Sequence, residues 1–133
     1  MTQQNSNSFS LPDESNLKQM IEDVLQQAKN KGATQVEAGL SVSSGLSVSC
    51  RMKEVETIEL QRDNGLGITV YFGQHKGTAS TSNLDPKALQ ATIDAACNIA
   101  KYTSEDKYSG LADADLMATE FPDLDLYHPW AVT

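Results

Sequence analysis

Residues 34–83 alternate between apolar and polar side chains almost without a break, and this alternation constrains the fold more than any other feature. Successive residues of a strand point to opposite faces of a sheet, so a period of two predicts strands with one apolar face. Short loop signals recur about every ten residues, which predicts five strands joined by four loops. The predicted loops are residues 43–45, 53–55, 63–65 and 73–74.

The loop lengths also predict a register in which apolar residues face apolar residues across the strands. The loop at 73–74, for example, pairs Val70 with Gly77. A slip by one residue would exchange the two faces of the sheet. The loop at 53–55 is the weakest prediction, because it contains no glycine and Val55 disfavours a positive φ. The pattern therefore indicates an antiparallel five-stranded meander with one apolar face.

A helix is predicted on each side of this meander. The first spans about Glu14 to Lys31 and the second about Pro86 to Tyr102, and both carry apolar residues at helical spacing. The Asp85-Pro86 order is typical of a helix start. Both helices need an apolar surface, and the sheet offers one. The predicted fold class is α+β, a two-layer sandwich in the order αβββββα with both helices on one face.

Three regions are expected along the chain. Residues 1–13 are rich in Gln, Asn and Ser and are expected to be a flexible N-terminus. Residues 14–102 form the α/β domain. Residues 103–133 lose all periodicity, and large apolar residues, including Trp130, are scattered among Asp and Pro. This irregular acidic segment either crosses the domain or leads into a C-terminal domain that is missing here.

Charge and composition exclude several function classes. The 133 residues carry a net charge of −8, so no basic surface is expected for nucleic acid. The longest apolar run is too short to span a membrane, and the start of the chain lacks the basic and apolar regions of a signal peptide. The sequence therefore predicts a cytoplasmic protein that contacts neither nucleic acid nor membrane.

Two cysteines lie on predicted apolar faces, Cys50 on a strand and Cys97 on the second helix. The simplest interpretation is two buried free thiols that pack as small hydrophobic side chains. A disulfide, a redox pair and a catalytic nucleophile are the alternatives. Neither cysteine has a histidine near it in sequence.

The polar face of the predicted sheet is rich in small residues. It is either an ordinary solvated face or a docking surface for a partner, and the predicted register adds an ion pair between Glu37 and Arg51. The candidate docking residues are Glu37, Ser49, Arg51, Thr57, Glu59, Thr69 and Tyr71. The predicted sheet edges, 34–42 and 75–82, could hold an extended peptide by strand addition. The candidate peptide-contacting edge residues are Thr78, Ser80 and Ser82.

No catalytic or metal-binding constellation is found in the sequence. His75 and His128 are both expected on loops or turns, and no Cys or His cluster has metal-ligand spacing. The glycines of residues 65–67 lie in a predicted hairpin, which is the wrong context for a phosphate loop. One predicted hairpin carries a cluster of charged residues, namely Lys53, Glu54, Glu56 and Glu59. We interpret this cluster as a solvated hairpin and not as a pair of carboxylates for acid/base catalysis.

Several segments occur in the order typical of one family. They are Val36-Glu37, Gly45–Arg51, Glu54–Thr57, Gly65–Tyr71, Lys76–Ser82, Glu105–Leu111 and Asp123–Tyr127. Together they cover most of residues 15–130, and the ordered set resembles the TldD/PmbA family, known as modulators of DNA gyrase and as metallopeptidases. Within this family the sequence is most similar to the PmbA/TldE branch.

The resemblance implies a subunit of a cytosolic hetero-oligomer that cleaves unfolded peptides, matures microcin and takes part in antitoxin turnover. It also implies zinc in the parent complex, bound by the TldD-type subunit through a His-Glu-x-x-x-His motif. The present chain has no such motif. No catalytic residue, metal residue or cofactor is therefore expected here, and the chain alone is predicted to be inactive.

Family members are much longer, so the resemblance implies the N-terminal domain alone. Its expected role is structural, with contacts to a TldD-type subunit or to an unfolded peptide substrate. A free-standing interaction module and an unrelated hydrolase are the alternatives, and the latter is disfavoured by the missing clusters of His and Cys.

Overall fold

Two amphipathic helices flank a three-stranded antiparallel sheet in the computed structural model, which describes residues 12–128. The element order is α1 (Glu14–Asn30), β1 (Gln35–Arg51), β2 (Glu54–Phe72), β3 (His75–Thr81) and α2 (Pro86–Tyr102). A short 3-10 turn follows at Ala114–Leu116. The predicted flexible stretch 1–13 lies outside the described residues except for its last two positions, and Trp130 lies outside them as well.

Both helices begin and end within one residue of their predicted bounds. α1 ends one residue before the predicted Lys31, and Gly32 stops it with a φ of +96°. α2 has the predicted bounds, with Pro86 in its first turn and Asp85 before it. The side chain of Asp85 makes no capping hydrogen bond, so the backbone preference of Pro86 is what marks this start.

The sheet has the order β1-β2-β3. β1 and β2 pair along their whole length, from Gln35 opposite Tyr71 to Arg51 opposite Glu54. β3 pairs only with the C-terminal part of β2, from Leu66 opposite Thr81 to Phe72 opposite His75. The sheet therefore has three strands beneath the helices and two strands beyond them.

The prediction of a five-stranded meander is wrong. Residues 43–45 and 63–65, both predicted as loops, lie inside strands and face each other, with Ser43 opposite Asp63. The turn predicted at 53–55 is instead the two-residue turn Met52-Lys53 between β1 and β2. The turn at 73–74 is confirmed, together with the predicted pairing across it. The fold remains α+β with two helices on one face of an antiparallel sheet.

The error has a definite physical cause. Each predicted three-residue loop joined positions four residues apart, such as Val42 and Leu46, and such positions also share a face in a continuous strand. A turn and an uninterrupted strand therefore give the same apolar pattern. The backbone distinguishes them, since among residues 12–128 only Gly32 and Gly73 are glycines with a positive φ. Gly45 and Gly65 do not use the conformational freedom that suggested loops there.

The hydrophobic core lies between the helices and the three-stranded part of the sheet. Its buried residues are Val24 and Ala28 of α1, Leu66, Ile68 and Val70 of β2, and Leu89, Ile93, Ala96, Cys97 and Ala100 of α2. α2 packs closely on the sheet at Gly77, where a Cβ would lie 2.0 Å from the carbonyl oxygen of Ala96. The small residues of α2 and the absence of a side chain at Gly77 permit this contact.

Residues 103–111, hereafter the strap, cross the end of the sheet at the β2–β3 turn. Four hydrogen bonds hold the strap: His75 Nδ1 to Thr103 O (2.8 Å), Asp106 N to Gln74 O (3.1 Å), Gln74 Nε2 to Lys107 O (3.3 Å) and Leu111 N to Gln35 Oε1 (3.0 Å). The strap therefore joins β1 to the β2–β3 turn. No helix among residues 12–128 is both long and apolar enough to cross a membrane.

Candidate docking arm

The long β1–β2 hairpin extends beyond the end of β3 as a two-stranded arm. The arm consists of residues 41–51 and 54–65, which pair only with each other in the sheet. The arm contains eleven residue pairs. At about 3.4 Å per residue, its length is roughly 35 Å. The arm is the feature that the sequence analysis missed, because the predicted meander folded these same residues back under the helices.

The turn at the tip of the arm is strained. Met52 and Lys53 have φ values of 53° and 68°, as a two-residue type I′ turn requires at both central positions. This conformation favours Asn and Gly, so Met and Lys carry a conformational cost of about 1 kcal/mol each. A register shift between Ser49 and Cys50 makes Glu56 the extra residue of a bulge next to the turn.

One face of the arm is apolar and uncovered. This apolar arm face consists of Leu46, Val48, Cys50, Val55, Ile58 and Leu60. It lies on the side of the sheet that α1 and α2 cover further along, in the alternation of Leu40 and Leu66. Asn64 and the pair of Ser44 with Arg62 separate it from the core. Exposure rises from 1% at Leu66 to 56% at Leu60 and 66% at Ile58. The apolar arm face is therefore about half exposed or more at these positions, although it lies on the same side of the sheet as the core.

The opposite face of the sheet carries the residues predicted to dock a partner, and the structure separates them into two groups. Ser49, Arg51, Thr57 and Glu59 lie on the arm, all exposed. Glu37, Thr69 and Tyr71 lie on the three-stranded part. All seven share one face of the sheet, but the predicted cross-strand pair of Glu37 with Arg51 is wrong. Glu37 lies opposite Thr69, and the guanidinium of Arg51 lies 3.8 Å from the carboxylate of Glu56.

Tyr71 differs from the rest of this set because it is only 5% exposed. It pairs with Gln35, whose side chain accepts the hydrogen bond from Leu111 in the strap. Its side chain therefore belongs to the folded end of the domain. The face that remains accessible to a partner runs from Glu37 and Thr69 towards the tip of the arm.

The predicted peptide-contacting residues lie along β3, which forms one edge of the three-stranded sheet. Thr78, Ser80 and Ser82 are exposed, with Ser82 one residue beyond the end of the strand. The hydroxyl of Thr78 lies 3.2 Å from that of Thr69 on the neighbouring strand. Short hydroxyl side chains at an edge leave the backbone groups of β3 accessible for strand addition.

A shallow depression lies where β3 ends and the arm begins. It encloses about 680 Å³ and is lined mainly by small residues. The lining includes Gly39, Ser41, Gly65, Gly67, Ser80 and Ser82. No charged side chain lines it. The depression can accommodate an extended backbone at the step between the third strand and the arm, but it offers no group for acid/base chemistry.

The two cysteines have different environments. Cys97 is buried, 3% exposed, and burial raises the pKa of its thiol above the usual value, while the nearby lysines Lys31 and Lys101 oppose this shift. Cys50 lies on the apolar arm face as predicted, but the expectation that it is buried is wrong. Both thiols are free. The 3% exposure of Cys97 and its raised pKa describe an inert core thiol.

The histidines do not form a site. His75 Nδ1 donates a hydrogen bond to the carbonyl oxygen of Thr103 in the strap. His128 lies 3.8 Å from Asp125 in an irregular segment. Among residues 12–128, no three His, Cys, Asp or Glu side chains are grouped so that they could hold a metal ion.

The described residues thus form an α+β domain with an open two-stranded arm. The family model described as PmbA/TldA metallopeptidase domain 1 matches residues 36–100, which contain the sheet and most of α2. The chain is 46% identical over 125 residues to a metalloprotease PmbA homolog of Haemophilus influenzae, covering 94% of this chain and 28% of that protein. It is 47% identical over 109 residues to metalloprotease PmbA of Escherichia coli O157:H7, covering 82% and 24%.

Solved structures support the same fold. TldE from Thermococcus kodakarensis superposes with a TM-score of 0.62 at 18% identity, over 71% of this chain and 21% of that one. A candidate modulator of DNA gyrase from Bacteroides thetaiotaomicron superposes with a TM-score of 0.74 at 24% identity, over 88% and 26%. The chain belongs to the PmbA/TldD family and represents its first domain, on the PmbA/TldE side. It spans about a quarter of the length of the relatives it matches.

The family description implies a metal ion, and the described residues do not fit one. His75 and His128 are the only histidines of the chain. His75 is engaged with the strap, and neither histidine has a grouping of acidic or thiol ligands around it. Zinc needs three or four such ligands in a tetrahedral arrangement. Among residues 12–128 there is no set of donors from which a metal-dependent step could be derived.

Proposed function

We propose that this chain serves as the N-terminal domain of a PmbA/TldE-like subunit in a cytoplasmic zinc metalloprotease hetero-oligomer. Its role is to contact the other subunit and the peptide substrate, while the zinc is held by a TldD-type subunit. The reaction of the complex is proteolysis of unfolded peptides, as in microcin maturation and antitoxin turnover. This domain contributes surfaces to that reaction and no catalytic group.

The observation that carries this proposal is the two-stranded arm. An isolated two-stranded hairpin is only marginally stable in water, so a hairpin of this length is expected to gain order from a surface that packs on it. The polar face lies on the side of the sheet away from the helices, and it is open from Glu37 on the three-stranded part to Arg51 near the tip of the arm. On β1 this face carries only glycine and serine from Gly39 to Ser49, and such small side chains allow another subunit to approach closely.

The β3 edge supplies the contact for an extended peptide. A peptide strand beside β3 would form backbone hydrogen bonds that do not depend on its sequence, as binding of varied unfolded substrates requires. Thr78 and Ser80 lie on the polar face and would point beside the incoming strand. The depression beyond Ser82 gives the peptide room to continue towards the arm.

The test is co-purification with a TldD-type subunit followed by size analysis. We expect a stable complex with the unmodified chain and a weakened one with Ser49→Tyr, which places a large ring on the polar face of the arm. Asn98→Tyr, an equal change on the exposed side of α2, is the control and should bind normally. Absence of a complex, or equal loss with both variants, would contradict the docking role of the polar face.

The peptide role has a separate test. Amide signals of β3 should shift in NMR spectra when an unfolded peptide is added, and the shifts should be largest between Thr78 and Ser82. Signals along α1 report on nonspecific effects. Shifts spread evenly over the chain would contradict strand addition at this edge.

A further inference from the structure

The apolar arm face is too large to be an incidental exposure of single side chains. Leu46 and Val48 of β1 are 45% and 46% exposed, and Ile58 of β2 is 66% exposed. With Val55 and Leu60, these side chains form one continuous patch on the order of 500 Å², the size of the largest patch on a typical monomer and often a functional one. The patch therefore calls for a definite occupant.

The area of the patch is large enough for an interface between two such faces. Two patches packed together would bury on the order of 1,000 Å² in total, which is the lower bound for a specific protein–protein interface. Sheets that pack through apolar faces lie about 10 Å apart and interdigitate their side chains. A second arm presents such a face with the same width and the same spacing of residues.

Charge also favours contact between two copies through their arms over contact through the rest of their surfaces. The whole chain has a net charge of −8, so most of its surface repels another copy. Residues 42–63 contain three basic and four acidic residues, a net charge of −1. The six residues of the apolar arm face are uncharged, and the charged residue on the same side of the arm is Arg62, which lies opposite Ser44 near the base of the arm. The arm is thus the part of the surface where two copies meet with little electrostatic cost.

The shape of the domain permits this contact. The arm extends roughly 35 Å beyond the end of β3, so the helices of one copy do not obstruct the arm of another. One patch meeting an identical patch is the arrangement of a two-fold symmetric dimer, which is closed and does not propagate. The polar faces and the β3 edges stay outside such a dimer.

We propose that two copies of this chain associate by stacking their apolar arm faces, which places Leu46, Val48, Ile58 and Leu60 of each copy in a four-stranded interface. Cys50 lies in the same face and becomes buried when the arms stack. This self-association does not require a TldD-type subunit. It can therefore fail while the co-purification succeeds, and the reverse also holds.

The experiment measures the mass of the 133-residue chain by sedimentation over a range of concentrations, with a pair of matched variants. Val48→Lys places a charge on the apolar arm face, and Ser47→Lys places the same charge on the next residue, which points to the opposite face. Both substitutions reduce the net negative charge equally, so loss of the dimer in one alone cannot result from greater repulsion between copies. We expect a dimer for the unmodified chain and for Ser47→Lys, and a monomer for Val48→Lys.

A second measurement needs no variant. Alkylation of Cys50 should slow down several-fold as the concentration of the unmodified chain rises through the dimerisation range, because stacking buries this thiol. A monomer at all accessible concentrations would overturn the proposal and assign the face to another polypeptide. A dimer that survives Val48→Lys, one that both variants abolish, or one in which Cys50 remains fully reactive would overturn it as well.

Discussion

Gly77 of β3 lies directly against the backbone of α2 at Ala96. A Cβ placed on Gly77 would be 2.0 Å from the carbonyl oxygen of Ala96 and 2.5 Å from the amide nitrogen of Ala100. These are backbone atoms within a helix, so they cannot move without displacing α2. The closeness of helix and sheet at this point is therefore set by the absence of a single methyl group.

We predict that Gly77→Ala destabilises the domain by about 2 kcal/mol or more, because α2 must shift away from the core. Denaturant unfolding followed by circular dichroism measures this change. Gly39→Ala is the matched control, since a Cβ on Gly39 of β1 meets no atom within 4 Å. The control should change stability by less than about 0.5 kcal/mol. Equal effects of the two substitutions would contradict the close packing of α2.

Residues that favour a positive φ should stabilise the turn at the tip of the arm. Replacing Met52-Lys53 with Asn-Gly removes the cost of two positive φ values, up to about 2 kcal/mol, and should slow hydrogen exchange of the arm amides by up to roughly thirtyfold. Exchange measured by mass spectrometry or NMR reports on residues 46–60. Met52→Ala keeps a residue that disfavours positive φ and should give no protection. If Asn-Gly leaves the exchange unchanged, the turn is not of the type described.

The ion pair between Lys31 and Asp94 joins the C-terminal end of α1 to α2, with 2.5 Å between Nζ and Oδ1. The hydrogen bond with Lys31 lowers the pKa of Asp94, and the same bond raises the pKa of Lys31. Because the pKa of Asp94 is lower in the folded state, its contribution is present above the ordinary carboxyl pKa and is lost as the pH falls through the lowered value. Lys31 behaves in the opposite way, because its pKa is raised in the folded state. Its contribution to stability is complete below its ordinary pKa of 10.5 and is lost as the pH rises through the raised value.

We therefore predict that Lys31→Met lowers the melting temperature slightly near pH 7, and that this difference disappears under acid conditions where Asp94 is protonated. Both side chains are partly exposed, so the effect should be small and should decrease with added salt. Lys29→Met, which removes a lysine two residues earlier in α1, is the control. A difference that persists at low pH would mean that Lys31 acts through its packing.

The thiol of Cys97 should be protected by the fold. Its burial in the core and its raised pKa both reduce the accessible thiolate. In a Cys50→Ser variant, we expect Cys97 to react with iodoacetamide at least roughly tenfold more slowly in the native protein than in denaturant. Mass spectrometry of the alkylated protein measures the rates. Rapid native labelling would show that α2 separates readily from the sheet.

The helices could be predicted from the sequence because their signals are local. Gly32 ends α1 and Pro86 starts α2, and each residue acts through its own backbone preference. The turn at 73–74 was equally predictable, since Gly73 adopts a positive φ of 63° and the flanking strands alternate regularly. The single apolar face of the sheet was also predicted correctly, because periodicity reports directly on faces.

The path of the chain between residues 42 and 66 could not be predicted in the same way. A loop at 43–45 and a continuous strand place Val42 and Leu46 on the same face, so the pattern contains no information about which one forms. The true turn at Met52-Lys53 lacks the residues that normally signal it. The candidate site depends on this path, since the arm and its uncovered face exist only when β1 and β2 run straight.

The order of the strands in the sheet follows their order along the chain, and this has a consequence for how the protein folds. Each strand can pair with the one synthesised just before it, so the sheet is built from local contacts that form quickly. The core residues Ile93, Ala96 and Ala100 all belong to α2, the last of these elements to be synthesised. Until α2 arrives, the part of the apolar sheet face that α2 covers remains open to solvent. The nascent chain should therefore depend most on chaperones in the interval between synthesis of Thr81 and completion of α2.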